Sequence, residues 1–262
     1  MSILTDKLAE DVVAAVKEAG ALLTERGGVR EIRAKRPTDF VTNVDFAVQE
    51  LLRARLSTLA GEAQFMGEEQ DNSGIDPARP VWILDPVDGT TNLIRNLRHS
   101  AVSLALAEGG RAVFGAVYNP YAPELFTARL GGGAYLNGRR ISVSGEGRLA
   151  RSLVSVGTAP GRREWSGRVF AEMRALYDGA VDVRRSGCAS LDLCDTACGR
   201  LDAYVERWLM PWDYAAGALI AAEAGGAVTD CEGGELKLLE AGGLCAGTPA
   251  VHAEVLELLR GL

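Results

Sequence analysis

Apolar residues recur at helical spacing through Leu4, Leu8, Val12, Ala15, Ala19 and Leu23, which predicts an amphipathic helix over residues 2–26 that Gly27-Gly28 stops. The spacing returns at Val48, Leu52, Leu56 and Leu59, behind a helix start at Thr42-Asn43-Val44-Asp45. Between the two, Ile32-Arg-Ala-Lys35-Arg36-Pro37 is basic and extended; a solvated loop is its plain reading, a flap over an anion the alternative. A short strand over 64–67 ends at Glu68-Glu69, and residues 70–80 form a polar loop. Residues 81–84 are all apolar, a run short enough for a buried strand. Strands follow over 101–107, 111–118 and 125–129, then a hairpin turning at Asn137-Gly138. Sequential strands of this kind predict an antiparallel sheet. After residues 144–151 the period alternates: strand 152–156, helix 164–177, strand 181–185, helix 189–199, strand 202–206, helix 213–224, strand 227–229 and helix 250–261. The expected fold is therefore mixed α/β. An α+β half over 1–145 carries the antiparallel sheet, an α/β half spans 146–262, and the site is expected between them.

The most informative stretch is Trp82-Ile-Leu-Asp-Pro-Val-Asp-Gly-Thr-Thr-Asn92. Its apolar run stops at Asp85, a second acid follows at Asp88, and Gly89-Thr90-Thr91-Asn92 favours a turn and a helix start. Free N–H groups at a helix start attract an anion, while nearby carboxylates repel it unless cations lie between. Acids beside a phosphate cradle thus imply metal, and hard oxygen ligands point to Mg²⁺. A lone D-x-x-D is more often a helix cap. The spacing has one residue too many for a D-x-D-x-T aspartyl-phosphate site, and an EF-hand loop lacks its later ligands. Further acids stand at element ends: Asp45 in a first helical turn, Glu68 after a strand, Glu206 at the end of the strand 202–206, and Asp213 at a helix start.

Composition narrows the chemistry. The chain has 262 residues, 47% of them hydrophobic and 24% charged, ample for a packed interior and unlike a disordered chain. A net charge of −7 disfavours unaided binding to nucleic acid or anionic membranes. No apolar run reaches membrane-spanning length, and Met1 to Asp6 lacks the marks of a secretory signal, so a cytoplasmic location is expected. Five cysteines, an odd count, fit a reducing compartment. With two histidines, His99 and His252, triad and histidine-zinc chemistry have too few participants. Carboxylates and hydroxyls must carry the reaction.

These residues resemble the inositol monophosphatase family, Mg²⁺-dependent and lithium-sensitive phosphatases of small alcohols. The resemblance rests on Gly67-Glu68-Glu69, on the Asp85-Pro-Val-Asp88-Gly-Thr90 stretch, and on Pro211-Trp-Asp213 running into Glu223-Ala-Gly-Gly226. It implies an α-β-α-β-α layered sandwich, usually dimeric. It further implies that Glu68, Asp85 and the Val87 carbonyl hold one metal, and that Asp85, Asp88 and Asp213 hold another, with two or three Mg²⁺ per subunit. By the same resemblance Asp45, Thr90 and Glu68 are catalytic, Thr90 and Asp45 acting on the attacking water. The amides of Gly89 and Thr90 hold phosphate. Asp88, Gly187, Cys188, Ala189, Glu206 and Asp213 line the substrate, and Lys35 belongs to a flap. Leu93, Cys188 and Arg207-Trp208 depart from the family's usual Phe, Ser or Thr, and smaller residues. The expected substrate is a myo-inositol monophosphate. Histidinol phosphate, a sugar phosphate, a nucleotide 3′-phosphate, or a binding role in transcription are the alternatives.

Overall fold

The computed structural model describes residues 2–25 and 27–262. Helix α1 (Asp6–Ala21) begins where Thr5 accepts from the Leu8 N–H, so this cap sets its start later than residue 2. A 3-10 turn, Leu22–Thr24, follows; residue 26 of the predicted helix lies outside the described residues. The basic stretch is neither loop nor free strand. It is one arm of a hairpin, β1 (Ile32–Arg36) pairing antiparallel with β2 (Asp39–Thr42). Because β1 is exposed along its whole length, no burial alternation marks it in the sequence.

Helix α2 (Asn43–Leu59), β3 (Gln64–Gly67), β4 (Val81–Asp88) and the short α3 (Thr90–Ile94) come next. They are followed by β5 (Ala101–Glu108), β6 (Arg111–Asn119), β7 (Glu124–Arg129), β8 (Gly133–Leu136) and β9 (Arg139–Ile141). Strands β3 to β9 form one seven-stranded sheet in chain order. The β3–β4 pair is parallel and every later pair is antiparallel.

The rest of the chain alternates: β10 (Leu153–Val156), α4 (Ser166–Gly179), β11 (Asp182–Arg184), α5 (Ala189–Ala197), β12 (Ala203–Leu209), α6 (Pro211–Glu223), β13 (Ala227–Thr229), β14 (Gly242–Gly247) and α7 (Pro249–Arg260). These strands form a five-stranded sheet ordered β11-β10-β12-β14-β13. Strand β14 was not foreseen. Glycine-rich and short, it takes its strand state from the ladders that β12 and β13 offer on either side. The same ladder carries β12 across a bulge to Leu209, beyond the expected end at Glu206.

Three apolar clusters stack these elements in five layers. Trp82 and Leu84 on one face of β4 pack with α1 and α2 through Val12, Val16, Val48 and Leu52. Val81 and Ile83 on the other face join α5 and α6 through Leu193, Ala216 and Ile220, and reach Tyr204 and Leu244 of the second sheet. The far face of that sheet, Val154, Val205 and Cys245, packs on α4 and α7 through Leu176, Val251 and Val255. The order is α-β-α-β-α, as the resemblance implies. A strand covered on both faces has no polar side, which is why residues 81–84 read as an unbroken apolar run. Among the described residues no helix is long and apolar enough to cross a membrane.

Candidate active site

The acids converge because their strands do. Strands β3 and β4 run parallel with Gly67 opposite Leu84, so Glu68 leaves the sheet beside Asp85. The Glu68 N–H donates to the Leu84 carbonyl at 3.3 Å. The ladder between β4 and β5 shifts between Asp85 and Asp88, a bulge that re-aims both side chains. Asp213 enters from the first turn of α6, where its carboxylate accepts from the Met210 N–H at 2.7 Å.

Burial and mutual repulsion make this a place that needs a cation. Asp85 is 2% exposed and, among the described residues, its carboxylate takes a hydrogen bond from the Val87 N–H alone, at 3.0 Å. Burial first, then Glu68, Asp88, Asp213 and Asp45, hold its carboxyl well above the usual range. Asp213 is raised likewise by burial, Asp88 and Glu68. Burial pushes Glu68 up to about 7 against the pull of Lys35. Among the described residues no three carboxylate, thiol or imidazole groups close into a ligating trio. An all-oxygen donor set fits a hard divalent cation; Glu68, Asp85, Asp88, Asp213 and the Val87 carbonyl could hold one.

Lys35, on β1, supplies the nearest positive charge. Its Nζ lies 2.6 Å from Glu68 and 2.7 Å from Glu69, and 3.5 Å from Asp39. Burial opposes that charge, but the two glutamates outweigh it and raise the Lys35 pKa. The hairpin tip also reaches the loop after β10, Thr38 Oγ1 donating to the Pro160 carbonyl at 3.0 Å.

The turn after β4 places the free N–H groups of a helix start beside a Thr–Asp contact. Gly89 has φ +84°, and a Cβ there would lie 3.0 Å from the His99 carbonyl, so glycine is required on both counts. Helix α3 is only five residues long, so its free N–H groups matter more than any macrodipole. Thr90 Oγ1 stands 3.2 Å from Asp45 Oδ1 and 2.9 Å from the Val87 carbonyl. Asp45 Oδ2 meanwhile caps α2, accepting from the Thr42 N–H at 2.9 Å and hydroxyl at 2.6 Å. One buried carboxylate therefore serves as helix cap with one oxygen and faces Thr90 with the other.

On the opposite side, Asp88 ties the end of β4 to the start of α5. Its Oδ2 accepts from the Ser190 N–H at 2.6 Å, the Ser190 hydroxyl at 2.5 Å and the Cys188 thiol at 3.1 Å. Its Oδ1 faces the Ala189 N–H at 3.3 Å. Cys188 and Ala189 thus lie against Asp88, while the Gly187 carbonyl would lie 3.2 Å from a Cβ built on Gly89. Glu206 is inside β12 rather than at its end; it accepts from the Ala159 N–H at 2.9 Å and the Tyr204 hydroxyl at 2.7 Å. Arg207 is not its partner. That guanidinium turns to Glu172 at 2.6 Å and Glu232 at 2.7 Å.

Sequence reasoning passed over Ser190, Asn92 and Asp192. The Asn92 amide donates to the His99 and Ser186 carbonyls at 2.8 and 3.0 Å, tying the phosphate turn to the 186–189 loop. Asp192 accepts from Ser186 at 2.7 Å, and burial pushes its carboxyl up to about 7. Asn92 stood inside the motif already singled out. Ser190 and Asp192 carry no signal outside the contacts themselves.

This layered mixed fold, with buried carboxylates gathered beside a glycine turn, is that of a phosphoric monoester hydrolase. The chain belongs to the inositol monophosphatase family, whose model matches residues 5–262. The inositol-1-monophosphatase of Rhizobium meliloti (strain 1021) is 39% identical over 253 residues, covering 95% of this chain and 94% of that one. The Nus factor SuhB of Escherichia coli (strain K12) is 36% identical over 251 residues, covering 95% and 94%. The crystal structure of the extragenic suppressor protein suhB from Bartonella henselae superposes with a TM-score of 0.90 at 34% identity, covering 97% of this chain and 99% of that chain. The superfamily is metal-dependent.

Proposed function

We propose that this chain hydrolyses myo-inositol monophosphate to inositol and phosphate, using Mg²⁺ held by Glu68, Asp85, Asp88, Asp213 and the Val87 carbonyl. The reading is supported above all by the convergence of those acids, which repel one another and have Lys35 as their close cation. Bound Mg²⁺ offsets the phosphate dianion and acidifies a bound water. The Gly89 and Thr90 amides hold the phosphate. Thr90 and Asp45 orient the attacking water and take its proton, and Glu68 helps position it. Gly187, Cys188, Ala189 and Glu206 face the departing alcohol. A homodimer in the cytoplasm, with two or three ions per subunit, completes the proposal.

Phosphate release from a panel of monoesters tests it. Turnover of myo-inositol 1-phosphate should need Mg²⁺ and stop with EDTA. Rapid histidinol-phosphate or sugar-phosphate turnover without inositol-phosphate turnover would move the substrate to those alternatives.

The metal should also register in stability. Binding to the folded state alone at a hundred times Kd contributes about 2.7 kcal/mol. For a chain of this size that is a Tm rise of roughly 5–10 °C. An unchanged Tm across millimolar Mg²⁺ would remove these acids as its ligands.

Glu206 is expected to select the alcohol. A carboxylate only accepts hydrogen bonds, so it favours a leaving group rich in hydroxyls. Glu206→Ala should raise KM for inositol 1-phosphate, lowering kcat/KM roughly ten- to a hundredfold, and leave an aryl phosphate nearly unaffected. Equal losses on both would make Glu206 a structural residue.

A second reading has a specific source. The Escherichia coli relative is named a Nus factor, so a partner in transcription is the alternative role. Co-purification with RNA polymerase that survives loss of the metal ligands would support it.

A further inference from the structure

Glu206 is gripped by a segment that the reaction itself does not account for. A Cβ at residue 157 would lie 1.9 Å from the Glu206 carboxyl group, so glycine there leaves that carboxylate room to stand where it does. Two residues on, buried Ala159 has φ +42°, a left-handed conformation that an alanine holds only when its surroundings impose it. Its N–H is the one that donates to Glu206. Its carbonyl accepts from the Arg162 N–H at 2.8 Å, closing a tight turn over 159–162.

The other end of that turn is fixed to the same strand. The Arg162 guanidinium carbon lies 3.9 Å from the Trp208 ring centroid and 5.6 Å from that of Trp165. Trp165 meets Trp208 edge-on at 5.5 Å. Glu206 and Trp208 are two residues apart on β12. The turn is therefore a bracket across one strand, held at Trp208 and closing on Glu206. The flap hairpin rests on it as well, through Thr38 and Pro160.

We propose that Trp208, acting through Arg162 and the Ala159 N–H, is a positioning residue that fixes the Glu206 carboxylate for the hydroxyls of the leaving alcohol. This gives a role to the Arg207-Trp208 pair, and it divides the pair. Arg207 fastens α4 through Glu172, whereas Trp208 shapes the alcohol side of the site. The inference rests on the reading of Glu206 as an alcohol contact. When the stack is lost, Ala159 is free to leave the left-handed region, and Glu206 loses one of the two donors that orient it.

The test is a double-mutant cycle on the Mg²⁺-loaded enzyme, with inositol 1-phosphate and p-nitrophenyl phosphate as substrates. Should the wild type not turn over inositol 1-phosphate, the hydroxylated phosphate that it hydrolyses fastest takes its place. Trp208→Ala should raise KM for the hydroxylated substrate about three- to tenfold, with kcat and aryl-phosphate turnover within about twofold. Trp208→Phe, which keeps a ring face for the guanidinium, should restore most of the loss. In a Glu206→Ala background Trp208→Ala should add less than about twofold. Trp208 borders a cavity of about 400 Å³, so trimming the ring does not empty a packed core. Arg162→Ala, at a partly exposed side chain, is the second route to the same phenotype should Trp208→Ala fold poorly. Equal losses on both substrates from Trp208→Ala or Arg162→Ala, or losses that add to those of Glu206→Ala, overturn the inference. A Glu206→Ala variant that affects both substrates alike overturns instead the reading on which it rests.

Discussion

Asp85→Asn is expected to abolish phosphate release while leaving the metal-free protein at least as stable as the wild type. In the proposed arrangement Asp85 alone touches both metal positions, so an amide there weakens two ions at once. A loss of at least about 10³ in kcat/KM is expected, or roughly 4 kcal/mol of transition-state stabilisation. The stability half follows from the same geometry. Asp85 is buried among Glu68, Asp88, Asp213 and Asp45, and each raises its pKa. An acid whose folded pKa lies above its unfolded value disfavours folding once pH exceeds the unfolded value, and the cost grows until pH passes the folded pKa. At pH 8 in EDTA the neutral amide removes that cost, so Tm should stay level or rise. Mg²⁺ should then raise the Tm of the variant far less than that of the wild type. Activity within tenfold of wild type, measured by phosphate release at saturating Mg²⁺, would deny Asp85 the bridging role.

Thr90→Ala and Asp45→Asn are expected to slow the chemical step without weakening substrate binding. Thr90 Oγ1 lies within reach of Asp45 Oδ1, at 3.2 Å, so the pair can hold and deprotonate one water. Loss of a general base typically costs about 10² to 10⁴ in rate. The fall should appear in kcat and in single-turnover rates, with KM nearly constant. Asp45→Asn carries a second consequence, because its other oxygen caps α2 through Thr42. The amide oxygen can still accept from the Thr42 N–H, so any loss of stability should stay within about 1 kcal/mol, and Thr90→Ala should leave the cap intact. The double variant should be little worse than the slower single one, since the two act on the same proton. Unchanged single-turnover rates in both would remove the pair from the mechanism.

Much of this was legible along the chain. Helical and strand periods located nearly every element, because amphipathic faces and doubly covered strands leave local traces in the order of apolar residues. The β1–β2 hairpin and β14 were not read in this way. The β1 arm is exposed on every residue, and β14 is a glycine-rich segment made a strand by its two neighbours. The acids, too, were visible as carboxylates at the ends of predicted elements, and the unbroken run at 81–84 announced a strand buried on both faces.

What the sequence determined by itself was therefore the chemistry on offer: oxygen ligands, hydroxyls, a glycine turn for an anion, and too few histidines for much else. The tertiary structure alone decided which of those groups meet. Glu68 stands beside Asp85 because β3 and β4 pair in parallel with one register. Asp88 receives Ser190, and Glu206 receives Ala159 instead of Arg207, through contacts spanning 102 and 47 residues of chain. Periodicity records which side of its own element a residue faces. Pairings over such separations are set by sheet register and helix packing, and these depend on the whole core at once.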